Sequence, residues 1–572
     1  MKSVAFVTLF MVFLHESLDK TELGLKLKTA LYCFLSYKLL RFIQQIFQFA
    51  TKKRNQYPFS HVPYTVPSPH WLYGHIQLVG TLSGQEYLTL ENADIKSGIS
   101  TFWSFNTPVL AVLKGSHVRE VYNHSPHRMK IPIVSRHFEK LLGRKSLLML
   151  KGEDWDAARS KAHSAVFQGA LKLNTQATHK ASIRAINRIR SKIRGELHHN
   201  GQNRLAILDA REFCTKMIFD VFGMSFLGID FGYSNGQNND QQYIESLQFL
   251  LEDMNYRCYD FKSFLLNNLY WLPTEQNRKY HTAKKMILNC IDESVCEDFS
   301  KSSTPLTENE TKTETVKHAS QVLFDEGAKD DYLHDIMFSF WVGGYDTTSA
   351  TLSYCLYNAA RFPKIKEECL LEISQKLPHG ISEPIDNLAK ILPFCNAVLM
   401  ETIRLFPTGP NTARNLDRKL SIPERDITFE KGTRVFISIW SIHRYEGNFH
   451  RALEYLPHRW VRKVKENDSD TYRWVERSTK DLDSETEQRE KDYCRPANKS
   501  NFFAFSGGKR YCLGEKYALN VALTIFIHFI MNFDLKLKDD YELLPTKSGF
   551  VQGPKGGVPL IFRERNHHTN SK

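Results

Sequence analysis

The chain has 572 residues, 42% of them apolar, 12% aromatic and 24% charged, with a net charge of +13. That composition is close to the globular average and excludes a disordered, collagen-like or multi-span membrane protein. The basic excess favours anionic partners, and ten cysteines without a C-x-x-C pair match neither a disulfide framework nor a zinc ribbon.

At the amino terminus Val4 to Leu14 is apolar but shorter than the about 20 residues that a bilayer core requires. Thr29 to Ala50 is long enough, yet Lys38 and Arg41 each cost about 2.5–3.5 kcal/mol at the centre of an inserted helix. A membrane anchor over 1–55 is therefore expected, tilted or interfacial as readily as a clean span, with a signal peptide, a transit peptide and a buried core helix as rivals. Lys52, Lys53 and Arg54 would hold the remainder on the cytosolic side. Pro58, Pro63, Pro67 and Pro69 then form a stiff hinge.

Ser100 to Phe105 and Val109 to Leu113 read as a hairpin, after which helical periodicity dominates. Ile183, Ile186, Ile189 and Ile193 mark the inner face of one such helix, and Arg184, Arg188, Arg190, Lys192 and Arg194 mark a solvated basic face, with no nucleic-acid role. Two charged stretches, about 301–331 and 466–492, lack the apolar residues to build a core and read as surface insertions.

Several spacings carry chemistry. Trp155 and Arg159 lie four apart, on one face of a helix. In a long helix from about Tyr332 to Arg361, Gly343 and Gly344 cost about 1 kcal/mol each relative to alanine, so they answer to something other than helix propensity. A Thr347 hydroxyl bonded back to the Gly343 carbonyl would open a groove there, with Asp346 as an adjacent titratable group. Phe338, Phe340 and Trp341 precede the glycines and suit either the wall of a pocket or a helix buried on all sides. Glu401 and Arg404 share another helix face, with Arg459 in a Pro-His-Arg-Trp segment as a third charged partner.

Phe505, Gly508, Arg510, Cys512 and Gly514 form F-x-x-G-x-R-x-C-x-G ahead of an apolar helix from Glu515 to Phe533. A cysteine entering a helix amino terminus has its thiolate favoured by unpaired N–H groups and the positive dipole end, and a thiolate binds metal. Gly508 and Gly514 permit tight turns and close approach of a flat ligand, and Arg510 presents a fork of donors to a carboxylate. Chance gives such a match in about two of ten thousand chains of this length.

These motifs, in this order, resemble the cytochrome P-450 haem-thiolate family from the hinge prolines to about Phe562. The resemblance implies a mainly α fold with small β-sheets behind the amino-terminal membrane anchor: a catalytic domain over 56–565 and a tail at 566–572. It implies haem b (iron protoporphyrin IX), with Cys512 as axial iron ligand. Trp155, Arg159, Arg414, Arg510, Phe505, Gly508 and Gly514 would contact the cofactor. Thr347 and Asp346 become the oxygen-activating pair, and Glu401, Arg404 and Arg459 an ion network behind the haem. The family more often has glutamate where this chain has His458.

By the same resemblance the reaction inserts one atom of dioxygen into a small lipophilic substrate. No G-x-G-x-x-G follows a strand, so electrons are expected from a separate NADPH-linked flavoprotein reductase. Lys151, Lys161, Lys509 and Lys516 are candidates for its docking face. Gly514-Glu515-Lys516 looks more microsomal than mitochondrial, implying the endoplasmic reticulum membrane, contact with membrane lipid and a cytosolic catalytic domain. The rival functions are a reductase-independent hydroperoxide isomerase and a membrane-tethered haem or gas sensor. Sterol, fatty acid and xenobiotic substrates are all open.

Overall fold

A computed structural model of the chain describes scattered positions from 33 to 44, then residues 65–66, 74–104, 107–125, 132–200, 205–236, 241–259, 269–295, 316–466, 469–474, 499–539, 541–543 and 551–565. Most of the expected anchor, all four hinge prolines and the 566–572 tail fall outside them. No helix among the described residues is long and apolar enough to cross a membrane.

The chain divides into two compact units, Met1–Ile76 with Thr101–Pro108 and Gln77–Ser100 with Val109–Lys572. In the first, Thr65 bridges Thr101 and Gly74 bridges Ser104, while the Trp103 N–H donates to Nδ1 of His75 at 3.1 Å. Strands β1 (Ile99–Ser104) and β2 (Thr107–Val112) stand where the hairpin was expected.

The second unit is helical. Its elements in chain order are α1 (Gly115–His124), α2 (Pro132–Leu142), α3 (Gly152–Ser164), α4 (Leu171–Asn200), β3 (Leu205–Asp209), α5 (Ala210–Phe222), α6 (Gln242–Tyr259), α7 (Glu275–Glu293), α8 (Ala319–Asp325) and α9 (Asp330–Arg361). There follow α10 (Pro363–Lys376), α11 (Pro393–Leu405), β4 (Asn411–Asn415), β5 (Arg434–Ser438), β6 (Val461–Glu466), β7 (Ser469–Trp474), α12 (Glu515–Asn532), β8 (Phe533–Leu537) and β9 (Pro559–Glu564). Four small sheets accompany the helices among the described residues, one of them a short ribbon of Leu420–Ile422 with Ile427–Phe429. β5 lies between β2, parallel, and β4, antiparallel. β9 lies between β8 and β3, antiparallel to both. β6 and β7 form a two-stranded ribbon.

α9 is the axis of this unit, packed on α5, α11 and α12. Asp330 and Asp331 in its first turn and Arg361 in its last complement the helix dipole. α10 and α11 begin with Pro363 and Pro393, whose missing N–H groups need no acceptor there. The next two amides of α11, from Phe394 and Cys395, donate to the Glu372 carboxylate at 2.8 and 2.9 Å. Ile186, Ile189 and Ile193 of α4 are buried as the periodicity predicts, whereas Ile183 is exposed. Arg184, Arg188 and Arg190 on the same helix reach Asp230, the Tyr233 carbonyl and Asn532, so they serve the fold.

Both surface insertions need correction at their edges. Residues 319–325 of the first form α8, because Ala319, Val322 and Leu323 recur at helical spacing and bury in the core. Residues 469–474 of the second form β7, whose Tyr472 hydroxyl donates to Glu368. Of the two readings open for Phe338, Phe340 and Trp341, the contacts match a helix buried in the core. Trp341 lies against Phe219 and Phe222 with ring centroids 5.5 and 5.6 Å apart, and Phe340 against Phe226 at 5.5 Å. Phe338 is buried too.

Candidate active site

The cysteine loop runs from Phe502 to Gly514 and is folded on its own backbone. The Cys512 N–H donates to the Phe505 carbonyl at 2.9 Å, Ser506 N–H to Phe503 at 2.8 Å, and Tyr511 N–H to Gly508 at 3.0 Å. Gly508 has φ +62°, and a Cβ there would stand 2.1 Å from the Tyr122 carbonyl oxygen, so α1 dictates this glycine. Gly514 differs, since no heavy atom lies within 4 Å of where its Cβ would be.

Cys512 is exposed and stands two residues before Gly514, the residue that caps α12. Its thiol therefore lies outside the first helical turn, a correction to the dipole argument. The nearby positive charge belongs to Arg159. Burial lowers the pKa of that guanidinium, while the charge of Cys512 acts in the opposite direction. The Arg159 Nη2 also donates to the Tyr511 carbonyl at 2.9 Å.

Three guanidiniums meet around this loop. Arg510 is buried, lies 3.9 Å over the Trp155 ring, and donates to the Leu147 and Leu150 carbonyls at 3.0 and 2.9 Å, while its buried Nε has no partner. Arg414, on β4, is buried and reaches Thr412, the Ala413 carbonyl and Ser506. Burial, with the charges of Arg414 and Arg159 and against that of Asp156, pushes the Arg510 guanidinium down to about 10. Among the described residues none of the three has a carboxylate salt-bridge partner. The one carboxylate whose charge acts on Arg510, that of Asp156, is paired with Lys509, so the cluster keeps an excess of positive charge that suits an anionic ligand.

On α9 the Thr347 hydroxyl donates to the Gly343 carbonyl at 2.7 Å, the back-bond its spacing predicts, and α9 continues through it. Gly343 is exposed in mid-helix, with no heavy atom within 4 Å of a Cβ placed there. Asp346 is not a lone acid. Arg211 of α5 forms an ion pair with its carboxylate and a hydrogen bond to Ser349 at 2.6 Å. Burial disfavours the charged Arg211 guanidinium, yet the Asp346 carboxylate beside it holds the Arg211 pKa above its usual value. No local signal reveals this partner, which lies 135 residues away.

Behind the loop, Glu401 accepts from Arg404 Nε and Nη2 at 2.9 and 2.8 Å, Arg459 Nε at 3.0 Å, Trp460 Nε1 at 2.9 Å and the Leu456 amide at 2.9 Å. The side chains of Glu401, Arg404 and Arg459 are fully buried. His443 links this network to the loop. Its Nε2 accepts from the Phe503 amide at 3.0 Å, which leaves Nδ1–H to donate to the Arg404 carbonyl at 3.0 Å. Burial and the charge of Arg404 push its pKa down to about 3, so the ring is neutral. His458 points elsewhere, to Glu368 at 3.0 Å.

Of the candidate docking lysines, Lys509 pairs with Asp156 and Lys161 donates to the Glu326 carbonyl, whereas Lys151 is exposed and Lys516 lies over the Phe167 ring. The exposed thiol, the guanidiniums lacking carboxylates and the open space at Gly343 and Gly514 together fit a flat, iron-bearing group with two carboxylates.

A family model described as Cytochrome P450 matches residues 65–560. Human cytochrome P450 4F8 is 27% identical over 470 residues, covering 79% of this chain and 80% of its own. Cytochrome P450 monooxygenase sphH of Aspergillus fumigatus is 24% identical over 520 residues, 88% of each chain. Rat cytochrome P450 4F4 is 24% identical over 557 residues, 93% of this chain and 97% of its own.

Proposed function

The chain belongs to the cytochrome P450 family, and is therefore a haem-b-binding monooxygenase; from that premise we propose that Cys512 is the axial iron ligand and that the substrate is a small lipophilic molecule. The observation that carries this is the set of guanidiniums of Arg159, Arg414 and Arg510 beside an exposed Cys512 thiol, without a carboxylate of their own. When bound, haem b supplies dioxygen activation, which a thiolate ligand favours by donating electron density.

The protein's own groups do the rest. Arg159, Arg414 and Arg510 hold the propionates, with Trp155 bracing Arg510 through its ring face. Phe505 offers its carbonyl to the Cys512 amide, which fixes the direction of the thiolate. Gly508 keeps the loop against α1, and Gly514 leaves space beside the ligand. The Thr347 Oγ donates to Gly343, so its lone pairs are free to accept from a water and orient it. Asp346, ionised while paired with Arg211, can accept a proton from solvent and pass it on to the water at Thr347 only when that pair opens, and opening it gates the relay. Glu401, Arg404 and Arg459 set the loop geometry and take no part in proton transfer.

Electrons come from an NADPH-linked flavoprotein reductase docking on a basic face that includes Lys151 and Lys516, and the catalytic domain faces the cytosol from the endoplasmic reticulum membrane. Replacing Cys512 with serine tests the core of the reading. The reduced carbon monoxide band at about 450 nm, a property of thiolate ligation in this family, is expected to vanish. A variant that keeps the band contradicts Cys512 as ligand.

A further inference from the structure

One buried side chain next to this site has nothing to bond. Gln552 is 3% exposed, and neither its amide oxygen nor its amide nitrogen has a partner. Among the described residues no other side chain leaves two buried polar atoms unpaired. Its backbone is fixed, with the N–H donating to the Thr408 carbonyl at 2.8 Å. The following residue, Gly553, stands where a Cβ would lie 3.5 Å from Arg211 Nε and 3.6 Å from Ala350 Cβ. Ala350 is one helical turn beyond Asp346 and Thr347. Thr408 leads from the helix of Glu401 to the strand that carries Arg414, and the adjacent Gly409 borders open space.

An unpaired buried amide bears its full desolvation cost, and methionine would fill the same length without it. Polar groups that lower stability in this way are found where function uses them. The nearby charges, Arg211 and Asp346, are paired with each other, so no net charge is left over for an ionic ligand.

We propose that Gln552 is a specificity-determining residue, whose amide accepts one hydrogen bond from and donates one to a neutral polar group of the substrate. The substrate is then an amphiphile bearing a hydroxyl or carboxamide, not a plain hydrocarbon. This rests on the monooxygenase reading of the site and adds the class of molecule it selects.

The test compares holoenzyme with its Gln552→Met variant, using 1-decanol, decanamide and decane as probes and the spectral shift on binding as readout. The variant is expected to lose about 10–100-fold in affinity for the alcohol and the amide, with decane unchanged. Its melting temperature without ligand is expected to stay level or rise. An equal effect on all three probes, or no loss, overturns the proposal. So does a wild-type protein that holds the polar probes no tighter than decane. A variant with a lowered melting temperature, or one that fails to fold, also overturns it, because the amide would then serve the fold or a fixed water. The reduced carbon monoxide band of the wild type is recorded alongside, and its absence would count against the monooxygenase reading instead.

Discussion

Replacing Glu401 with glutamine keeps the shape of the side chain and removes one charge from a site with no solvent. In the native protein one carboxylate faces the two guanidiniums of Arg404 and Arg459, and the rest of those forks is taken up by carbonyls of His443, Ala452, Glu454, His450 and Arg451. Neutralising Glu401 leaves both cations without a counter-charge. Oε1 accepts three bonds and Oε2 two, so whichever way the amide turns, its NH2 confronts at least two donors. Breaking a buried ion pair by removing one partner costs about 3–5 kcal/mol. A typical domain is stable by only about 5–15 kcal/mol, so the variant should lose a large share of its stability. Urea unfolding of the holoprotein, followed by tryptophan fluorescence and by haem absorbance, measures the loss. A decrease below about 1 kcal/mol would refute the reasoning, because such a value belongs to a solvated surface pair. The pH dependence is a second check. Burial alone would raise the Glu401 pKa, but Arg404 and Arg459 hold it below the usual carboxylate range. Its contribution is therefore complete above the unfolded value and is lost as pH falls through the folded one. The wild type should lose this increment in acid, and the glutamine variant should lack that part of the acid transition.

Thr347→Ala should keep the fold, release more peroxide and form less product per NADPH consumed; oxygen and peroxide stoichiometry with a purified reductase checks this, and full coupling would contradict the role given to the hydroxyl. Gly508→Ala places a methyl group 2.1 Å from the Tyr122 carbonyl oxygen at a φ of +62°, so a loss of at least about 1–2 kcal/mol is expected in thermal unfolding. His443→Phe retains the stack on Phe502 but strands the Phe503 amide and the Arg404 carbonyl, each worth about 1–3 kcal/mol when buried unpaired. Because burial pushes the folded His443 down to about 3 while the unfolded ring protonates near 6.5, this group costs stability as pH falls between those values. The phenylalanine variant should show a shallower decline across that window.

The parts of the site legible in the sequence are those in which a short spacing fixes a geometry. Trp155 with Arg159, Glu401 with Arg404, and Thr347 with Gly343 each meet within one helical turn, and all three contacts are present in the structure. The long helix around Thr347 and the helix after Cys512 announced themselves by glycine and apolar pattern, to within two residues at their ends. Arg211, His443 and Gln552 carried no such signal, because what matters about each is a partner, or the lack of one, on an element distant in sequence. His458 shows the same limit, since its hydrogen-bond partner Glu368 lies ninety positions earlier. Polar composition also misled at 319–325 and 469–474, where a few apolar residues at the right period were enough for a helix and a strand.

The three-stranded sheet of β8, β9 and β3 ties Leu205–Asp209 to Pro559–Glu564, with Ile207 opposite Ile561. During synthesis the ribosome must deliver roughly 350 further residues before β3 can meet its neighbour, and the middle strand of the three emerges last. Until then β3 is an open template for other nascent chains. A message truncated just before Pro559 would lose few residues, yet it would deprive both flanking strands of their only shared partner and yield a product fit for degradation instead of a slightly shortened enzyme.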